Sequence, residues 1–239
     1  MDPFELPEIG KTGLKVSRLG VGGVAIGRTS TAEESDETLR RCVELGVRYF
    51  DTAPLYGGGV SEKRYGEVLS SIPRSSFTIS TKVGRLREAP APTPVGAVIG
   101  PGGSSDMPYI YDYDTVMRVF EGSLKRLNLD NVDILLIHDP DSHFQEAMDG
   151  AYRALSELRS QGVVKAIGAG IWRVTHLPVA DRGHSRMLGL FAMNLLRPVP
   201  GLLTGILIAS GLASAALPGA TGDVYVVDAT GGGDFLDIQ

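Results

Sequence analysis

Four side chains able to handle protons occur in the order Asp51, Tyr56, Lys82, His138. Each sits at, or just past, the end of an apolar run that reads as a β-strand. A carboxylate, a phenol, an ammonium and an imidazole on consecutive strand ends can form one proton-transfer site. A free tyrosine titrates at about 10 and is a poor acid at neutral pH. A neighbouring ammonium favours the phenolate and lowers that value, making Tyr56 a usable donor or acceptor. Lys82 can supply the charge, Asp51 can hold Lys82 by an ion pair, and His138 can hydrogen-bond the oxygen that gains or loses the proton. Each residue alone has an ordinary alternative: a turn cap, a rim aromatic, a solvated lysine, a satisfied core histidine. Their joint placement on successive strand ends favours the catalytic reading.

The elements that must position these groups alternate strand and helix through residue 170. Lys11-Thr12-Gly13 reads as the turn of a leading hairpin, followed by a strand over 17–22. Thr31 and Glu34 have capping-box spacing and open a helix with Leu39, Cys42 and Val43 on its apolar face, stopped by Gly46. Further strands are predicted at 47–50, 77–81, 132–137 and 163–167. Helices are predicted at 61–69, from Asp114 to Leu127, and at 144–160 up to Gly162. The fully apolar run 132–137 suits a parallel strand buried on both sides. Five βα-type repeats imply a parallel sheet, either open and doubly wound or closed as a barrel. The interval 89–112, rich in Pro, Gly and Ser, follows a strand end and is expected to form a lid or substrate wall over the same rim.

The 239 residues suit one domain, or one α/β barrel near its short limit. A net charge of −5 argues against a nucleic-acid binder, which usually shows a basic face. The lone Cys42 excludes an internal disulfide, fits a reducing compartment, and reads as a small core residue. The first residues lack a basic segment and an apolar core, so no signal peptide is expected and the expected location is cytoplasmic. No metal site is expected.

The runs Phe50-Asp51-Thr52-Ala53-Pro54-Leu55-Tyr56-Gly57, Thr81-Lys82-Val83-Gly84-Arg85 and Leu136-Ile137-His138-Asp139-Pro140-Asp141 resemble the aldo-keto reductases, nearest the branch of aldose (L-fucose and D-threo-aldose) 1-dehydrogenases and pyridoxal 4-dehydrogenases. The resemblance covers about residues 6–170, with flanking residues and spacing as well as the four functional positions. It implies a TIM-type (β/α)8 barrel and NAD or NADP bound without a Gly-x-Gly-x-x-Gly loop. It also implies catalytic roles for Tyr56, Lys82, Asp51 and His138, and a cofactor lying by Gly22, Gly23, Val24, Asp51, Ala169 and Gly170. The implied activity is hydride transfer between the nicotinamide and a small carbonyl compound or sugar, oxidising an aldose at C1. In this setting Gly57-Gly58-Gly59 reads as a βα-loop and not as a phosphate cradle.

Beyond residue 170 the resemblance stops. Ile171-Trp172-Arg173 stands where the family has an Asn-containing segment, and three further βα units with their phosphate-gripping Arg or Lys are not recognisable. Residues 1–165 hold 6 Lys and 12 Glu, whereas 166–239 hold neither; proportional scaling would give about eight. The expected organisation is therefore a partial barrel over 1–170 and a divergent Gly/Ala/Leu-rich tail over 171–239, frameshifted or fused, irregular, and unable to close the sheet. A catalytically inactive fragment without cofactor binding is the alternative function. In the tail, Gly201 to Leu217 is uncharged and near the lower length of a membrane span, but its Gly, Ser and Thr content argues against one. Val226-Val227-Asp228-Ala229-Thr230-Gly231-Gly232-Gly233-Asp234 resembles the anion-hole signature of ribokinase-like sugar kinases. With no such sheet before it, a chance match in a Gly-rich tail is the preferred reading.

Overall fold

A computed structural model describes residues 4–9, 12–85 and 108–170 in full, and the backbone of 171, 190–192, 206–210 and 224–228. Five strands, β1 (Leu19–Gly22), β2 (Tyr49–Asp51), β3 (Thr78–Val83), β4 (Ile134–His138) and β5 (Ala166–Ile171), pair in parallel in chain order. The short α1 (Gly23–Arg28) sits directly on the end of β1, where the sequence signalled no helix. The crossovers are α2 (Ala32–Glu44), α3 (Val60–Leu69), α4 (Tyr113–Leu127), and a last helix made of α5 (Phe144–Glu146), a π-helical stretch (Ala147–Tyr152) and α6 (Arg153–Ser160).

The local signals act where their geometry dictates. The Thr31 hydroxyl accepts from the Glu34 amide while the Glu34 carboxylate accepts from the Thr31 amide, closing the capping box of α2. The cap of α4 is Asp112, which accepts from the Thr115 amide, so that helix starts ahead of the predicted Asp114. Strand β5 begins later than predicted because the amides of Val163 and Val164 turn back to the Leu158 carbonyl at the end of α6. The long interval predicted as a lid lies mostly outside the described residues, as do Trp172, Arg173 and most of the kinase-like motif with Asp234.

Alternation along the strands splits the apolar side chains between two faces. Tyr49, Ile134, Leu136 and Ala166 face inward and meet Ile9, Leu14 and Val16 of the leading hairpin, which plugs the base of the barrel. Val21, Phe50, Ile79, Val83, Leu135, Ile137, Ile167 and Ala169 face the helices and form the larger core. Cys42 and Val43 pack on that core from α2, as their helical spacing predicts.

The expectation of exposed sheet edges is corrected. Three further strands, β6 (Leu190–Ala192), β7 (Ile206–Ser210) and β8 (Val224–Asp228), close a barrel of order β1-β2-β3-β4-β5-β8-β6-β7. The segment 224–228 pairs with one edge, as β8 running antiparallel to β5. The apolar run 201–217 contains β7, antiparallel to β1. Antiparallel pairing needs no helical crossover between strands, so a short segment can seal both edges. The chain is thus a TIM-type α/β barrel in its first five units, completed by three antiparallel strands. Among the described residues no helix is long and apolar enough to cross a membrane.

Helices α3 and α4 approach closely at Gly66, where an added Cβ would lie 2.5 Å from the Leu127 carbonyl oxygen. Backbone cannot yield there as a flexible side chain would. Gly66→Ala is expected to destabilise the fold by about 1–3 kcal/mol. A urea midpoint equal to that of the unsubstituted chain would contradict this packing.

Candidate active site

The parallel register delivers the strand ends to one rim. Gly22 pairs with Asp51, Asp51 with Ser80, and His138 with Gly170. Lys82 projects from β3 into that rim and is fully buried, at 0% exposure. Its ammonium donates to Asp51 Oδ2 at 2.7 Å, to the Thr52 carbonyl at 3.1 Å and to the Tyr56 hydroxyl at 3.0 Å. An ammonium has three donors, and each has an oxygen. Because Lys82 donates to the Tyr56 oxygen, the phenol's own proton is directed away from the ammonium.

Behind Asp51 lies a support that the sequence reading did not single out. Ser80 Oγ donates to Asp51 Oδ1 at 2.6 Å, and the Tyr49 hydroxyl lies 2.9 Å from Ser80 Oγ. The serine has one proton and spends it on the carboxylate, so the tyrosine must be the donor to serine. Burial, and then the nearby Asp51, push the Tyr49 phenol far up and keep it protonated for that role. The available signal was Ser80 itself, two residues before Lys82 on the same strand face.

His138 meets the Tyr56 ring edge-on, with centroids 5.7 Å apart. Its Nδ1 is buried and has no hydrogen-bond partner among the described residues. Burial, then the charges of Lys82, Arg85 and Arg28, hold its pKa well below 6.5. The imidazole is therefore neutral at physiological pH, with one donor and one acceptor nitrogen. The next residue, Asp139, adopts the left-handed backbone region with φ 49°. It is held by its amide on the Gly170 carbonyl at 2.8 Å and by an ion pair with Arg85 at 2.8 Å. Tyr111 donates to the carbonyls of His138 and Asp139 at 2.6 and 3.0 Å, and the Arg85 guanidinium stacks 3.9 Å from the Tyr109 ring centre. These contacts tie both stems of the long interval to the His138 strand end.

The expected cofactor residues divide between the faces. Gly22 and Gly170 lie on the rim, in register with Asp51 and His138, and present no side chain there. Val24 packs on the small apolar group of Ala53, Leu55 and Tyr56. Ala169 takes the other face: alternation turns its methyl outward into the core against the helices, so its side chain does not reach the rim. Gly23 is held small by the protein itself, since an added Cβ would lie 2.9 Å from the Asp51 carbonyl and closer still to Ser61 Oγ. Among the described residues no group of His, Cys, Asp and Glu could hold a metal ion.

Lys82→Met would leave the Asp51 carboxylate buried without its cation. We expect a loss of about 3–5 kcal/mol in urea unfolding, against less than about 1 kcal/mol for Arg40→Ala, whose pair with Asp36 is half exposed. Equal losses for the two variants would contradict the buried pair.

His138 sets a pH dependence of stability. The unfolded chain takes up the imidazole proton near pH 6.5, whereas the folded chain does so only well below it. Below about 6.5 the unfolded state binds the extra proton, so this group's contribution falls by about 1.4 kcal/mol per pH unit until the folded-state value is reached. Unfolding curves from pH 7 downward should show this slope, and His138→Gln should lack it.

The chain is similar to known proteins over much of its length. The model of the "Aldo/keto reductase family" matches residues 18–188. The chain is 38% identical over 173 residues to a D-threo-aldose 1-dehydrogenase of Pseudomonas sp., covering 69% of this chain and 53% of that protein. It is 32% identical over 213 residues to an L-galactose dehydrogenase of Arabidopsis thaliana, covering 87% and 56%. An aldo-keto reductase of Bacillus halodurans, solved in its holo form, superposes with a TM-score of 0.56 at 26% identity, over 71% of this chain and 51% of that one. The chain thus spans little more than half the length of these relatives.

Proposed function

Because the chain belongs to the aldo/keto reductase family, we propose that it is an NAD(P)-dependent oxidoreductase that oxidises an aldose at C1. The observation that carries this reading is the Tyr56 hydroxyl 3.0 Å from a fully buried ammonium that is itself fixed by Asp51. The names of the D-threo-aldose and L-galactose dehydrogenases support a sugar as the substrate class. The bound nicotinamide carries the hydride, and Gly22, Asp51 and Gly170 would hold its ring at the rim.

The chain's own residues manage the proton. Tyr56 takes the proton of the sugar hydroxyl as the carbonyl forms. Lys82 favours the oxyanion form of the phenol through its short contact. Asp51, braced by Ser80, keeps Lys82 from swinging away, and neutral His138 hydrogen-bonds the reacting oxygen through a ring nitrogen. In the reducing direction the same groups run in reverse, with Tyr56 as the acid.

A second reading is a chain that keeps this geometry without activity. It is favoured by one observation: beyond residue 170 neither the family's Asn-containing segment nor its late Arg or Lys segment for the cofactor phosphates is recognisable in the sequence. Titration with NADH and NADPH, followed by nucleotide fluorescence, separates the two readings. Binding is expected of the enzyme and not of the inactive chain.

Tyr56→Phe keeps the ring and removes the hydroxyl. Turnover of an aldose should fall by about 10²–10⁴ with nucleotide affinity nearly unchanged. Full turnover in that variant would remove Tyr56 from the proposed role.

A further inference from the structure

One buried cation at this rim is held by no acidic partner among the described residues. Arg28 ends α1 and is 9% exposed. Among the described residues its side chain has a single polar contact, Nη2 to the Leu55 carbonyl at 3.5 Å, longer than the roughly 2.7–3.2 Å of a good N–H···O bond. The fold treats two other partly or fully buried arginines differently: Arg85 has Asp139 at 2.8 Å and Arg126 has Glu62 at 2.7 Å. Arg28 has no carboxylate at ion-pairing distance among the described residues. A guanidinium carries five donors and stays charged, and taking it from water without a counter-ion costs several kcal/mol.

Its position points to the reacting groups. The carbonyl it touches belongs to the residue before Tyr56. The end of α1 is wedged on the same turn, since a Cβ at Gly27 would lie 2.5 Å from the Tyr56 carbonyl oxygen. The Arg28 charge reaches both Tyr56 and His138. Among the described residues at this rim, Lys82 is paired with Asp51 and Arg85 with Asp139, and Arg28 has no such carboxylate.

We propose that Arg28 receives an oxyanion of the substrate, and that the preferred substrate is an aldose bearing an acid group, carboxylate or phosphate, away from C1. This rests on the hydride-transfer reading above and names its substrate class. A planar guanidinium fits either oxyanion with two parallel hydrogen bonds. A neutral sugar would leave the cation uncompensated.

The test compares kcat/KM of the full chain for D-galacturonate and D-glucose 6-phosphate with those for D-galactose and D-glucose, using NAD or NADP. At least one acidic sugar should exceed its neutral counterpart by about ten- to a hundredfold, and which one does so tells carboxylate from phosphate. Arg28→Gln should lose that preference through KM for the acidic sugar. Arg28→Lys, which keeps the charge without the fork, should retain part of it. Equal kcat/KM for acidic and neutral sugars would overturn the proposal. So would an Arg28→Gln variant whose pH profile shifts alike for both classes with their ratio kept, because Arg28 would then act only on Tyr56. If no sugar is oxidised, the hydride-transfer reading fails and calorimetric titration with D-galacturonate and D-glucose 6-phosphate still decides. Binding by the unsubstituted chain and by Arg28→Lys, but not by Arg28→Gln, upholds the oxyanion site, and no difference between the chains overturns it.

Discussion

An ammonium with no solvent exposure is tolerable only if the protein supplies what water would have supplied. Lys82 meets that condition with a carboxylate, a backbone carbonyl and a phenol, all within 3.1 Å. Much of the architecture follows from this requirement. The carboxylate must come from the neighbouring strand, the carbonyl from the residue after it, and the phenol from the turn beyond. The parallel register of β2 on β3 satisfies all three at once. The arrangement is costly for folding, and the same contacts that make the cation bearable place it against the Tyr56 hydroxyl, the group proposed to exchange a proton.

Support extends one layer outward by the same logic. Asp51 has a second oxygen, and leaving it bare inside the barrel would carry a desolvation cost of its own. Ser80 fills that need, and Tyr49 in turn fills the need of Ser80. The strand end at His138 is held differently. Asp139 sits in the left-handed backbone region, which Asp enters more readily than most side chains, and Arg85, Tyr111 and the Gly170 carbonyl hold it there. Rigidity at that point fixes the imidazole, whose Nδ1 has no hydrogen-bond partner among the described residues.

Closure of the sheet is a separate problem with a separate solution. Five parallel strands leave two edges, and here both are occupied by strands running the opposite way. The rim that carries the four reactive groups lies on the parallel part, whose registers are set by packing on the helices and on the hairpin plug. The site geometry therefore depends on the first 170 residues.

The order of reactive residue types, the period-two alternation of the strands and the capping box of α2 were legible in the chain because each depends on neighbours a few positions apart. The same holds for Gly46 and Gly162 as helix stops, both with positive φ. Contacts that span 26 to 31 residues, such as Lys82 with Tyr56 and Asp51, could be anticipated only because strand ends of a parallel sheet share a rim. What local pattern could not reach was decided by tertiary structure. The start of β5 moved because α6 captures the amides of Val163 and Val164. Ala169 turned outward because one step along a strand reverses the face. Ser80 and Arg28 came to the site because register and the short α1 put them there. The tail closed the barrel because an antiparallel edge can be paired by strands carrying no helical signal. Sequence spacing alone determined which chemical groups this protein owns and roughly in what order they meet. The fold decided which way each one points, since direction depends on register and packing across distances the local pattern does not encode.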